Sequence, residues 1–159
     1  MRTVRSHCLA VLVVAATGCS TGAPSPVAST SDPKCADPTA HVYHPGRLQL
    51  LDPCKQVSGV VVAVRSEADG DYHVLLDPDP QYLGLLRPAN RAERNALVME
   101  PICQHQVTQA DAQGSCLGGV PLVPIPPIGT HVVATGAYVL DLDHGGWAEI
   151  HPLFDIQPG

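Results

Sequence analysis

Residues 56–77 read QVSGVVVAVRSEADGDYHVLLD. Two Val- and Leu-rich runs flank Asp69-Gly70, and Asp-Gly between β-rich runs is a strong hairpin signal. The runs at 56–66 and 71–77 are therefore expected to be strands, with residues 68–70 as the turn. Outward from this hairpin the chain keeps the same character. Helical periodicity is nearly absent, and Val-rich segments alternate with turn residues. A lead-in at 47–51, a third strand at 97–102, a fourth at 130–142 and a fifth at 147–156 follow, with His144-Gly145-Gly146 turning the chain before the last. Gly59 and Gly136 sit inside long strands, and an internal Gly marks a bulge or a bend at a barrel corner. These features predict an all-β fold, a small five-stranded OB-like barrel with at most one short helix. A generic β-sandwich is the competing architecture. The helix is expected at 91–96, with Asn90 as cap and Glu93 as its capping-box partner. Residues 103–128, where OB barrels usually carry a helix, hold too much Pro for one.

The N-terminus carries a different signal. Arg2 and Arg5 precede an apolar run at 8–16, which ends in Ala16-Thr17-Gly18-Cys19. A basic start, a short apolar stretch and a small-residue cleavage site make a secretory signal. The run is about half as long as a bilayer crossing requires. Cys19 at the cleavage point resembles the lipobox of bacterial lipoproteins, in which the thiol is acylated and becomes the new N-terminus. The expected organisation is a signal peptide at 1–18, a flexible Pro/Ser/Thr-rich tether at 19–40 and the OB-like domain at 41–159. The expected location is the outward-facing side of a bacterial cell membrane, held by two or three acyl chains on Cys19.

Loss of the signal removes Arg2 and Arg5 and leaves 7 basic against 15 acidic residues, a formal charge of −8. Such a surface is poor for nucleic acid and for anionic headgroups. Of six Cys, Cys8 falls in the signal and Cys19 is the lipid site. Cys35, Cys54, Cys103 and Cys116 remain, an even number in an oxidising compartment, and predict two disulfides. Three pairings are open. Cys35–Cys54 and Cys103–Cys116 are favoured because each closes a short loop of weak local structure. A zinc site is the rival, but no CxxC spacing occurs.

Five segments carry a family resemblance: RLQLLDPC at 47–54, VSGVVVAV at 57–64, DGDYHVLL at 69–76, IPPIGTHVVATGAYVLD at 125–141 and HGGWAEIHP at 144–152. Together they resemble a set of bacterial secreted or lipid-anchored OB-fold-like proteins with no assigned activity. The resemblance spans most of the mature chain and implies the fold and the envelope location. It brings no reaction.

The candidate chemistry lies at the hairpin and the last strand. Alternation puts Trp147, Glu149 and His151 on one face of the fifth strand, and Asp71 and His73 on one face of the second. With His144 from the turn, these residues would converge if the two faces meet. Imidazole and carboxylate are ligands that transition metals use, so a metal would be held by His73, His151 and Glu149, with Asp71 beside them. The competing role is structural, since buried polar groups at a barrel rim must satisfy one another. His41 and His44 fall in a loop and are expected to be solvated. Asp141 and Asp143 faintly resemble the start of a calcium loop, but Gly145 and Pro152 stand at later ligand positions. No GxSxG, HExxH, P-loop or GxGxxG is present. Trp147, Tyr72, Tyr82 and Tyr138 are the candidates for a stacking surface, with at least one expected in the core.

These observations favour a non-catalytic envelope module that binds a protein, glycan or small ligand and needs no cofactor. The alternatives are a metal-binding protein or metal-dependent hydrolase using His73, Asp71, Glu149 and His151, and a nucleic-acid-binding OB domain, which the charge disfavours.

Overall fold

The computed structural model describes Cys35, Asp37 and residues 39–159. The expected signal peptide, Cys19 and almost all of the tether lie outside the described residues. Five strands form one sheet: β1 (Leu48–Ser66), β2 (Tyr72–Pro78), β3 (Leu97–Met99), β4 (His131–Asp141) and β5 (Trp147–Pro158). It closes in the order β1-β2-β3-β5-β4, so the fold is the small OB-like barrel. Every pairing is antiparallel except β3 with β5.

Closure depends on β1. The lead-in and the first strand merge into a single 19-residue strand. Its first two-thirds pair with β4 and its last third with β2. Register shifts flank Asp52 and fall again between Val61 and Ala63, and such irregularities bend a strand and sharpen its twist. Pro53 lies within the irregular stretch, where its missing N–H takes no ladder bond away. Gly59 is needed where β1 meets β2. A Cβ there would collide with the Asp77 carbonyl oxygen and approach Pro78 Cα to 2.8 Å. Gly136 does the same for β4 against β5, where a Cβ would strike Ile150 and the Pro152 carbonyl. The 69–70 turn forms as expected, with Glu67 N–H donating to the Asp71 carbonyl at 2.9 Å and Gly70 at φ 98°.

Alternation fills the barrel with Val57 and Val61 of β1, Val74 and Leu76 of β2, and Leu97 and Met99 of β3. Val132, Ala134 and Tyr138 of β4 join Ala148, Ile150, Leu153 and Ile156 of β5. Each large side chain contributes about 1.5–3 kcal/mol by leaving water. A second, smaller apolar cluster of Leu75, Ala96, Val98 and Trp147 lies on the outer face of the sheet. A 3-10 turn at Pro88–Glu93 covers it through Ala89.

That turn starts three residues ahead of the expected helix at 91–96, and Asn90 lies inside it rather than capping it. The reason is a longer-range demand. β3 has only three residues, so nothing of β3 faces Ala148. Asn90 fills the gap: its Nδ2 donates to the carbonyls of Ala96 (2.9 Å) and Ala148 (3.0 Å). Its Oδ1 accepts from the Ala148 and Arg87 N–H groups, both at 2.9 Å. The amide thus acts as a piece of strand backbone.

Both favoured disulfides are present, Cys35–Cys54 and Cys103–Cys116. The 103–116 loop folds onto the β1–β2 turn, where Gln104 and His105 N–H groups both donate to the Gly70 carbonyl, at 2.7 and 3.1 Å. It occupies the interval in which other OB barrels place a helix.

Asn90→Ala strips partners from three buried backbone groups, each worth about 1–3 kcal/mol when left unsatisfied. Urea unfolding is expected to show a loss of about 2–4 kcal/mol, well beyond the loss of an ordinary cap.

Candidate functional site

The outward faces of β2, β3 and β5 carry His73 and Leu75, Val98, and Trp147 and Glu149. β3 pairs in parallel with β5, Val98 opposite Glu149, so the next outward pair is Glu100 and His151. Beyond Met99 the ladder breaks around His151-Pro152. Glu100 bridges the break with its backbone: its N–H donates to the Ile150 carbonyl (2.9 Å) and its carbonyl accepts from Leu153 N–H (2.8 Å). Pro152, expected to mark an edge or an exit from the ladder, instead sits at an irregularity within a central strand, between register positions Gly136/Leu153 and Tyr138/Ile150.

The side chain of Glu100 is the hub. Its Oε1 lies 2.8 Å from His73 Nε2 and its Oε2 lies 2.7 Å from His151 Nδ1. The same Nδ1 is 3.1 Å from Glu149 Oε2. Glu149 Oε1 accepts from the Trp147 indole N–H. The His144 ring stacks on that indole with centroids 4.3 Å apart and planes 5° from parallel. His144 Nδ1 meets Asp141 Oδ2 at 2.8 Å, Asp141 meets Arg47 Nη1 at 3.3 Å, and Arg47 Nη2 returns to Glu100 at 4.0 Å. The contacts therefore close a ring around the outer face. His73 extends it to Arg65, 3.2 Å from His73 Nδ1 and itself paired with Glu93 at 2.7 Å.

All six residues singled out from the sequence enter this assembly. Trp147, Glu149 and His151 form one face as expected. His73 reaches them only through Glu100, and His144 through stacking. Asp71 stands next to His151 and Glu100: one oxygen of each carboxyl group and one ring nitrogen of His151 lie within 4.8 Å of one another. Asp71 Oδ1 also accepts from Cys103 N–H at 2.6 Å. Sequence reasoning missed Glu100, Arg47 and Asp141 as members. Glu100 had a local signal, a lone carboxylate at the end of the apolar run Leu97-Val98-Met99. The two loop histidines stay apart from the ring, His41 against the Ser115 carbonyl at 2.8 Å and His44 stacked on Tyr43. Asp141 caps its own turn, accepting from Asp143 and His144 N–H groups, so this stretch is a hairpin turn. Tyr138 is core, its hydroxyl donating to the Leu85 carbonyl at 2.7 Å.

Burial governs the electrostatics. Glu149 and His151 have no solvent exposure and Glu100 has 1%. Burial opposes ionisation of Glu100, but the charges and hydrogen bonds of His151 and His73 outweigh it and hold the carboxyl well below the usual carboxylate range. Burial likewise disfavours the His151 cation, yet Glu100 and then Glu149 overcome this and push the ring up to about 10. His73 is raised in the same way against its burial, by Glu100 first. Burial and the charge of Glu100 raise Glu149. Burial, aided by the Asp69 charge, lifts Asp71 to about 7 against the Cys103 hydrogen bond.

At neutral pH the centre is thus an imidazolium clamped between carboxylates. It holds its proton too tightly to act as a general base. Its Nε2 is buried and has no hydrogen-bond partner. The described residues include four cysteines, all in disulfides. No family model, no curated protein and no solved structure matches this chain.

Asp71 gives a pH prediction. Its carboxyl titrates near 7 in the folded state and near 3.8 in the unfolded state, so the folded state binds the proton more tightly. Stability attributable to Asp71 is therefore lost as pH rises from about 4 to about 7. Asp71→Asn removes that loss while keeping an acceptor for Cys103 N–H. In chelator-treated protein the variant is expected to be more stable than wild type by about 1–3 kcal/mol at pH 8, within the ~4 kcal/mol that three pH units allow. At pH 4 the advantage is expected to vanish. Urea unfolding at the two pH values checks this.

Proposed function

We propose that this chain is a non-catalytic cell-envelope binding module, lipid-anchored at Cys19, whose OB-like barrel holds a small, largely apolar ligand. A groove of about 400 Å³ beside the barrel carries this reading. Ile102 and Val123 form one wall, Pro152, Leu153 and Phe154 another, and His41 lies at the side with Asp37. Volume and lining are those of small-molecule sites, which are mostly apolar with a few polar groups to orient the ligand. A disulfide stands beside each of two walls. Cys35–Cys54 ties the segment carrying Asp37 to β1, and Cys103 follows Ile102 directly. The walls are held in place before any ligand arrives, which lowers the ordering cost of binding.

The buried cluster supports the same reading. Its groups contact one another, and a substrate would have to displace them. A metal-dependent hydrolase would need open coordination next to a substrate cleft, whereas Glu149 and His151 are sealed from solvent. A glycan platform would need exposed aromatic faces, and Trp147 is only 6% exposed. Nucleic acid is disfavoured by a mature charge of −8. The envelope location rests on the lipobox-like Ala16-Thr17-Gly18-Cys19, on the resemblance carried by the DGDYH and HGGWAEIHP segments, and on two disulfides that suit an oxidising compartment. No helix among the described residues is long and apolar enough to cross a membrane.

Nile red, a neutral apolar dye, tests the groove. It is expected to bind one-to-one and to lose at least tenfold in affinity in Phe154→Asp, a half-buried position that tolerates a polar group. Equal binding by wild type and variant would place the site elsewhere. For the anchor, Cys19→Ser is expected to move the protein from the membrane fraction to the soluble fraction of the envelope, read by immunoblot. Unchanged fractionation would remove the lipid from the proposal.

A further inference from the structure

The unpartnered nitrogen of His151 is the least explained atom of the cluster. The ring is fully buried, its Nδ1 is held by Glu100 and Glu149, and its Nε2 meets no acceptor. A buried donor left unsatisfied is costly, and native structures seldom tolerate one. An imidazole whose one nitrogen is oriented by carboxylates while the other is left open is the arrangement of a metal-ligating histidine.

The strand directions say what lies on the open side. β2 runs antiparallel to β3, and β3 runs parallel to β5. Going from Glu149 to His151 on β5 therefore matches going from Val98 to Glu100 on β3 and from Leu75 through His73 to Asp71 on β2. Asp71 lies beyond His151, on the side away from Glu149. Asp71, Glu100 and His151 each place one donor atom within 4.8 Å of the other two, and all three residues are buried. The geometry points to a divalent-cation site formed by Asp71, Glu100 and His151, with Nε2 of His151 as its nitrogen ligand.

Formal charge agrees. Four buried carboxylates, Asp71, Glu100, Asp141 and Glu149, share the cluster with the guanidinium of Arg47 and two imidazoles, His73 and His151. Even with both rings protonated, one negative charge is unmatched. A divalent cation bound to neutral His151, with His73 still protonated, leaves the set neutral. One nitrogen and two carboxylate oxygens suit zinc, and manganese is the nearest competitor. Glu149 then acts through His151, holding the Nδ1 proton and so the ring orientation, while Trp147 holds Glu149. The ion would be enclosed beside the groove, since Pro152 lines the groove and follows His151 directly. The site stands or falls independently of the groove ligand.

Zinc titrated calorimetrically into chelator-treated full-length protein at pH 7.5 tests this. One equivalent is expected to bind with micromolar or tighter affinity and to raise the melting temperature. Asp71→Asn, which keeps the fold, is expected to weaken zinc at least tenfold, and Glu149→Gln by about 10–100-fold. His44→Ala, at an exposed ring, controls for adventitious surface binding and is expected to change nothing. Absence of a one-to-one phase overturns the proposal. So does binding that survives Asp71→Asn unchanged, or that is lost in His44→Ala.

Discussion

The carboxylate of Glu100, held between two imidazoles on the outer face of the barrel, is the interaction on which the rest of the structure turns. One oxygen meets His73 of β2 and the other meets His151 of β5, so a single side chain ties together two strands that are not sheet neighbours. Its backbone does equivalent work, bracketing His151-Pro152 with bonds to Ile150 and Leu153. Removing one partner from a buried ion pair typically costs 3–5 kcal/mol, because the remaining charge stays buried and uncompensated. Three cations, His73, His151 and Arg47, converge on Glu100, so its loss would strand more than one charge.

Why a small barrel carries ions at this position follows from its topology. β3 is three residues long and is the only strand that runs parallel to its neighbour. It is the weakest member of the ring. Two devices reinforce it, one at each end. Asn90 extends its ladder before Leu97, and Glu100 extends it after Met99. Both use polar side chains because the missing partners are backbone N–H and carbonyl groups, which apolar packing cannot satisfy. Trp147 and the smaller cluster with Leu75, Ala96 and Val98 then shield these polar contacts from water.

The sequence made the barrel readable because alternation and turn chemistry act locally. Asp69-Gly70 fixed the hairpin, Gly59 and Gly136 marked close strand approaches, and the count of four mature Cys led to the disulfides. The face of Trp147, Glu149 and His151 was legible for the same reason. What stayed hidden was set by register between distant segments. Arg47 and Glu100 are 53 positions apart, and nothing local to either predicts the other. Asn90 was misread because its spacing to Glu93 satisfies a capping rule, while its actual partners include Ala148. Pro53 suggested a break between the lead-in and the next strand, yet a bulge absorbs it and β1 runs through.

The same cluster bears on why burial of charge is tolerated here at all. Replacing buried ion pairs by apolar side chains is often neutral or stabilising, so stability alone is a weak reason for keeping them. A satisfied structural network would leave no open donor at its centre. This one has a ring nitrogen without a partner and one carboxylate more than its cations match. Asp71, lifted to about 7 by burial, is the group that carries that surplus. A purely structural role predicts that neutralising Asp71 by amidation relieves the protein and changes nothing else. A cation site predicts that the same change, made at the same atom, trades intrinsic stability for loss of the ion, and the two roles separate at this residue.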